Sequence, residues 1–376
     1  MKKIAHVIFD EKFFDGVIEV NDHFISNCAN TYFIVNWLGK RKKSKYIKNT
    51  KRLVYITGFQ FLKLLKEQSY NAVFLYSIKE CPSTIILSIP KQIKVFWFAM
   101  GYDLYSYPYP RPFIKVDYLL GPITKKIRQP LGMKVKNVAK YLLSPVTVPL
   151  AYKAMKRVDF FSGVLEFEYR LLQENTKFSG ESVIYQYTSM NILKTRGKIE
   201  HFQGSNILIG NSAAETNNHL DILQYLKNVD VKKRKIVVPL SYGGWKTERD
   251  QICKSYENAF KDQFCPIIDF MPYDEYKEIV HSCSIAIFGH ERQQAMGNIN
   301  MALNLGCKVF LSETNPVYSF YKSLGFVVFS IQENLTTNEI DEELSESERA
   351  QNRRLLYERY HEQQFAMNMN KILNLF

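Results

Sequence analysis

The 376 residues suffice for two domains of ordinary size, and a composition 46% hydrophobic and 14% aromatic supplies packed cores, which excludes a wholly disordered chain. The formal charge of +13 biases the surface toward anionic partners: nucleic acid, an anionic membrane face or phosphorylated substrates. No apolar run approaches the roughly 20 residues that span a bilayer, and the short run behind Met1-Lys2-Lys3 is too brief for a signal-peptide core, so a chain that opens on a buried strand and stays in the cytosol is expected.

Along the chain, short apolar strand patterns alternate with helical ones, the mark of an α/β protein. In the first half strands are predicted at 4–9, 32–37, 53–56, 72–76 and 95–100, with a helix over 60–68 that lines up Phe61, Leu64 and Leu65. The rhythm restarts with strands at 206–209, 235–239, 267–270, 285–288 and 308–311, and helices at 218–227, 246–260, 273–282, 297–305 and 316–323. Two successive parallel-sheet domains with a cleft between them, 1–195 and 205–335, are expected. Polar residues over 193–205 mark the boundary, and a charged helical tail, 336–376, is expected to pack across the domains.

The six cysteines form no C-x-x-C pair and the seven histidines are dispersed, so neither a metal site nor a bound cofactor is expected. Two stretches are basic and acid-free. Residues 40–52 hold eight cations, and residues 118–158 hold nine, among them Lys125, Lys126, Arg128, Lys140 and Lys153. The second stretch interleaves its cations with Leu142, Leu143, Val146, Val148, Leu150 and Tyr152, a mixture suited to an anionic membrane surface. A solvated lysine loop is the alternative for the first. Nucleic acid is the rival partner, but no helix-turn-helix, zinc or RNP pattern accompanies the charge.

In open α/β sheets ligands lie beyond the carboxyl ends of the strands, which selects particular loops. Gly210-Asn211-Ser212, continuing to Asn218 and His219, is small and polar and opens a helix, as phosphate binding or a plain capping turn requires. Pro239-Leu240-Ser241-Tyr242-Gly243-Gly244-Trp245 flanks paired glycines with aromatics suited to a base or sugar face. The run Glu291-Arg292-Gln293-Gln294, with Gly297 and Asn298, brings a cation and two amides to a helix mouth, where guanidinium matches diphosphate. In the first half Asp103 follows Gly101 at a strand end and is expected to face the cleft as catalytic base, with Asp15 and Glu19 as alternates. A helix-capping aspartate is the other reading of Asp103.

Taken in order, these segments resemble the bacterial TDP-sugar:lipid-linked-oligosaccharide transferases that add N-acetylfucosamine (4-acetamido-4,6-dideoxygalactose) in enterobacterial common antigen assembly. The resemblance runs through His6-Val7, Asn21-Asp22, Trp97 with Gly101-x-Asp103-Leu104-Tyr105, and Ile207-Leu208-x-Gly210-Asn211-Ser212 with Asn218 and His219. It continues through Val237-Val238-Pro239 with Tyr242, Arg292-Gln293-Gln294-x-x-Gly297 and Glu313-x-Asn315-Pro316. It implies a GT-B fold of two Rossmann-like domains, a metal-independent hexosyltransferase, a TDP-sugar donor and a polyprenyl-diphosphate-linked glycan acceptor in surface polysaccharide synthesis. The protein would then be peripheral to the cytoplasmic face of the inner membrane. The same resemblance places the diphosphate against Gly210–Ser212, Arg292, Gln293 and Gln294, and thymidine near Pro239, Tyr242 and Glu291. A non-catalytic nucleotide-binding scaffold is the competing class.

Overall fold

The computed structural model describes all residues except 10, 12, 37–43, 45, 118, 128–130 and 187–200, with backbone only for Leu131, Met133 and Tyr273. Trp37, most cations of the 40–52 run, Arg128 and most of the expected 193–205 boundary therefore lie outside the described residues. The chain divides into two compact units, residues 1–115, 130–196 and 360–376, and residues 116–129 and 197–359.

The first unit is built on a parallel sheet ordered β3-β2-β1-β4-β5-β6-β7. Its strands are β1 (Lys3–Ile8), β2 (Ala29–Asn36), β3 (Leu53–Thr57), β4 (Ala72–Tyr76), β5 (Lys94–Phe98), β6 (Phe160–Ser162) and β7 (Glu181–Ser182). The central β4 is buried along its whole length, as a strand covered on both faces must be, and its unbroken apolar run Ala-Val-Phe-Leu-Tyr is what made it legible. Thr57 ends β3 and caps the helix Gly58–Glu67 reciprocally with Gln60. The core also holds a polar knot. The Asn21 amide donates to the Tyr76 hydroxyl at 2.7 Å, and the ring nitrogens of His6 lie 3.1 Å from that hydroxyl and from Asn30 Oδ1. Burial pushes the His6 pKa down to about 3, so the ring is neutral and packs as part of the core.

The second unit repeats the plan with order β10-β9-β8-β11-β12-β13, every pairing parallel. Its strands are β8 (Asn206–Ile209), β9 (Ile236–Pro239), β10 (Phe264–Ile267), β11 (Cys283–Phe288), β12 (Lys308–Leu311) and β13 (Phe329–Ser330). In each sheet the strand order reverses beside the first strand, between β1 and β4 and between β8 and β11. That is the doubly wound arrangement, and the expected pair of Rossmann-like domains is present.

Two features depart from the expectations, and a third detail concerns the tail. β10 lies three residues earlier than 267–270 because it is an edge strand, where the missing N–H of Pro266 costs little. Residues 116–129, expected in the first domain, belong to the second unit. There the Asp221 carboxylate accepts from the amides of Ile123 and Thr124 at 2.8 and 3.0 Å and from the Thr124 hydroxyl at 2.5 Å. The tail is helical but does not act as one piece. Helix Glu346–Tyr360 falls almost wholly in the second unit, whereas helix Glu362–Leu373 places Phe365, Met369 and Ile372 in the core of the first beside Phe14 and Tyr32.

Most of the basic, apolar stretch of the first unit folds as one helix, Leu131–Lys156. It contains Pro145 and Pro149. Proline cannot donate to the carbonyl four residues back, and the Ser144 hydroxyl, 2.6 Å from the Tyr141 carbonyl, takes over the acceptor that Pro145 would leave bare. Among the described residues no helix is long and apolar enough to cross a membrane.

Two results follow from these units. Removing the clamp with Asp221→Ala should cost about 2–3 kcal/mol in urea denaturation and should expose residues 119–127 to protease, because charge-assisted bonds to main-chain amides are lost. Glu168, fully buried, accepts from the Leu165 amide at 3.0 Å, and burial pushes its carboxyl up from 4.5 to about 7. The folded chain then binds the proton more tightly than the unfolded chain between those values, so this group lowers stability as pH rises from about 4.5 to about 7. Glu168→Gln should flatten that slope, seen as a smaller loss of urea midpoint between about pH 5 and about pH 8 than in the wild type.

Candidate functional site

The chemistry of the second unit collects where its sheet reverses, on the loops that leave β8, β11 and β9. After β8 the backbone turns at Gly210 with φ +66°, where a Cβ would come within 2.7 Å of both Asn217 Oδ1 and the His219 ring. Only glycine fits. Asn217 then gathers the loop, its Oδ1 accepting from the Asn211 amide at 2.9 Å and its Nδ2 donating to the Ser212 hydroxyl at 3.0 Å. Asn218, itself left-handed at φ 53°, donates to the Gly289 carbonyl at 2.7 Å and accepts from the Gly121 amide at 2.9 Å. One residue thus joins the β8 loop, the β11 loop and the 119–124 segment.

His219 Nε2 lies 2.8 Å from the Ser212 carbonyl, and burial pushes its pKa down to about 4. The ring is neutral, Nε2 carries the proton, and Nδ1 presents a lone pair that no protein group meets. After β11, His290 is fully buried with neither ring nitrogen hydrogen-bonded, and its pKa is pushed well down by burial and then by the nearby Arg292 and His219. Gln293 is buried with Oε1 unpartnered, and Asn211 Oδ1 is likewise unmet. Buried polar atoms of native proteins are nearly always paired, so such a cluster marks the place of a ligand or of ordered water.

The rest of the β11 loop surrounds that cluster. Arg292 donates to the Gln293 carbonyl at 2.7 Å, and Gln294 Oε1 accepts from the Thr216 hydroxyl at 2.8 Å, tying the loop to its β8 counterpart. Glu291 Oε1 accepts from Ser312 at 3.2 Å, and burial holds its carboxyl up at about 7. The helix Met296–Leu305 that follows has neither a side-chain cap nor an acid in its first turn, which leaves its dipole open to an anion. Asn298 accepts from the Tyr276 hydroxyl at 2.8 Å, so it braces the helix. A Cβ on Gly297 would meet nothing within 4 Å.

The β9 loop packs directly on the β8 loop. Gly243 and Gly244 both have positive φ, and a Cβ on Gly244 would sit 2.0 Å from the Ala213 carbonyl. Ala213 donates to the Tyr242 carbonyl at 2.8 Å, and the Asn211 amide reaches the Tyr242 hydroxyl at 3.1 Å. Tyr242 stays 42% exposed, as a ring meant for a ligand face would be, whereas Pro239 is buried at the end of β9 and offers no such surface. Two acids on these loops, Glu215 and Glu248, lie close enough to influence one another. Glu248 is held up at about 7 by burial with Glu215 adding to it, and burial raises Glu215 as well.

The first-unit candidates fare differently. Asp103 does not present its carboxylate to solvent: it is 0% exposed and accepts from Trp97 Nε1 at 2.7 Å, the Met100 amide at 2.8 Å and the Ile78 amide at 3.1 Å. It ties the end of β5 to the end of β4, and its placement as a base facing the cleft is withdrawn. Asp15 is similarly engaged, accepting from the amides of Lys48 and Asn49 at 2.9 Å each. Glu19 is exposed on the helix Phe14–Phe24. Of the basic residues, Lys125 and Lys126 are exposed on the second unit, while Lys140 and Lys153 are exposed on the long helix of the first. Sequence reasoning missed Asn217, His290, Glu215 and Glu248. The signal for His290 was its place between Gly289 and Glu291 in the loop after β11; Glu215 and Glu248 gave none, because their proximity is tertiary.

Residues 135–367 match the family described as 4-alpha-L-fucosyltransferase, glycosyl transferase group 56. Solved structures of the same architecture share little sequence. Sucrose-phosphate synthase from Thermosynechococcus elongatus superposes with TM-score 0.67 at 9% identity over 100% of this chain and 98% of its own. Alr3699/HepE of Anabaena, solved with UDP and glucose, gives TM-score 0.64 at 9% identity over 100% of each chain. The lipopolysaccharide outer core galactosyltransferase WaaB gives 0.63 at 10% identity, over 100% of this chain and 99% of its own.

Gly297 separates folding from ligand binding. Gly297→Ala, with open space for its methyl group inside a helix, should stabilise the free protein by about 0.5–1 kcal/mol. The same change should weaken nucleotide binding if the backbone there approaches a ligand, which thermal denaturation with and without nucleotide reads directly.

Proposed function

This chain belongs to the 4-alpha-L-fucosyltransferase family, glycosyl transferase group 56, and on that premise we propose the reaction it catalyses. It moves an N-acetylfucosamine-type sugar (4-acetamido-4,6-dideoxy-D-galactose) from a TDP-sugar to a polyprenyl-diphosphate-linked oligosaccharide in surface polysaccharide synthesis. The transfer takes place at the cytoplasmic face of the bacterial inner membrane, to which the protein is peripheral. Membership of the family and the GT-B architecture make it a glycosyltransferase. The observation that carries the finer reading is the cluster of unpartnered buried atoms on the β8 and β11 loops at the sheet's reversal.

Those atoms divide the donor between them by hydrogen-bond sense. His219 Nδ1, Asn211 Oδ1 and Gln293 Oε1 are acceptors, so they match hydroxyl or N–H groups of the sugar and nucleoside. Phosphate oxygens need donors instead. Arg292 and the uncapped start of helix Met296–Leu305 supply them, whereas the Gly210 and Asn211 amides are already committed to the Ile287 carbonyl and to Asn217. Such groups, set before the reaction, stabilise charge on the departing diphosphate without a metal ion as the bond between anomeric carbon and diphosphate oxygen breaks. Tyr242, half exposed beside Asn211, takes the base or deoxyribose in this reading, its open ring face supporting it. Because His219 is neutral, the cationic work stays with Arg292.

Calorimetric titration of TDP tests this assignment. Arg292→Ala should weaken TDP binding by about 1.5–3 kcal/mol, the worth of a charge-assisted contact, and should slow transfer to match. Unchanged affinity would remove Arg292 from the site. A thermal-shift panel of UDP, GDP, CMP and TDP tests the donor itself: the reading requires the largest shift with TDP, and an equal or larger shift with another nucleotide overturns it.

A further inference from the structure

Helix Leu131–Lys156 is anchored at one end only. Ala151, Ala154 and Met155 are buried in the first unit, but residues 134–150 are exposed or half-exposed. Side chains repeat every 3.6 residues, about 100° apart, so Asn137, Ser144, Val148, Ala151 and Met155 share the face turned to the protein, and these are the less exposed positions. The outward face of a helix on a water-soluble protein is normally polar. Here it is apolar: Val135, Val138, Leu142 and Val146 form one stripe, each between 58% and 72% exposed. Lys134 and Lys136 stand about a quarter turn to either side of that stripe, and Lys140 lies about 40° from Ser144, toward the protein face. No acid occurs from residue 118 to 158 to neutralise them. Partial burial, and then the charges of Lys79 and Lys136, disfavour the Lys140 ammonium, so these three cations lie close enough to repel one another.

We propose that this helix docks the chain on an anionic lipid surface by lying in the plane of the interface, its Val135–Val138–Leu142–Val146 stripe among the acyl chains and Lys134 and Lys136 at the headgroup phosphates. An in-plane helix needs an apolar stripe flanked by long cationic side chains whose stems run along the apolar region while the charges stay in water, and this helix has both. The helix is too polar to cross the bilayer. A flat protein partner would ask for an apolar patch without an unrelieved cationic border, so lipid is the occupant that matches the charge. The inference deepens the lipid-linked acceptor reading and rests on it for its purpose: a chain held at the surface meets an acceptor confined to that surface.

Flotation with vesicles tests it without any transfer reaction. The full chain should bind vesicles containing phosphatidylglycerol and bind phosphatidylcholine vesicles far less, with affinity falling as salt rises. Val138→Asp with Leu142→Asp, both on exposed positions, should lower binding by at least about tenfold. Replacing Lys134 and Lys136 with Gln should lower it by about fivefold per lysine. The aspartate variant should still transfer sugar to a water-soluble acceptor analogue at the wild-type rate. If no chain shows transfer, the reaction assigned above fails while the vesicle result stands by itself. The docking proposal is overturned if the wild type does not float, or if the aspartate variant floats equally well. It is overturned too if that variant instead abolishes self-association seen by sedimentation in the absence of lipid, since a second copy would then cover the stripe.

Discussion

Asn218 holds its side chain from a left-handed backbone, and two of its bonds, to the Gly289 carbonyl and from the Gly121 amide, join segments far apart in sequence. The left-handed conformation costs a non-glycine residue energy, and asparagine tolerates it best. With Asn217 beside it gathering Asn211 and Ser212, the ends of β8 and β11 are brought into one structure before any ligand arrives. Everything else proposed for the second unit depends on that junction: Gly210 must be bare to make room for it, and the β9 loop packs on it through Gly243 and Gly244.

A consequence of this construction is that the site's charges are few. Burial keeps His219 and His290 neutral and raises the carboxyls of Glu291 and Glu248 to about 7, so the enclosed groups act mainly as hydrogen-bonding surfaces. The cation is Arg292, whose guanidinium keeps its charge at any physiological pH. An arrangement of that kind separates two tasks that a nucleotide-sugar imposes. In the proposed reading, the acceptors serve hydroxyl groups, and Arg292 with the start of helix Met296–Leu305 serves phosphate.

The first unit uses polar side chains differently. Asp103, Glu168 and the His6–Asn21–Tyr76 knot are buried and bonded to main chain or to one another, so they position strand ends and helix Phe14–Phe24. Its outward-facing chemistry lies on the helix Leu131–Lys156, where apolar and cationic side chains share the solvent face. Asp103 is instructive because its sequence context, a strand followed by Gly101, suits either a base or a structural link. Three donors within 3.1 Å decide for the link, since they occupy both oxygens and close the carboxylate off from water.

The amino-acid sequence alone determined the alternation of strands and helices, because parallel strands covered on both faces must be written as unbroken apolar runs such as 72–76 and 285–288. It also singled out the loops after β8, β9 and β11 as candidates, since small and polar residues after such a run are what a close backbone approach requires. Short strands such as β6 and β7 and the shift of β10 escaped it, because three or four residues carry little periodicity and an edge strand relaxes the rule against proline. Only the tertiary structure decided which polar side chains are bonded and which are bare. It closed Asp103, left His219 Nδ1 and Gln293 Oε1 unmet, set Glu215 beside Glu248, and turned the apolar stripe of helix Leu131–Lys156 outward. The reason is that burial and hydrogen bonding are properties of neighbours, and these neighbours come from segments that a local pattern cannot bring together.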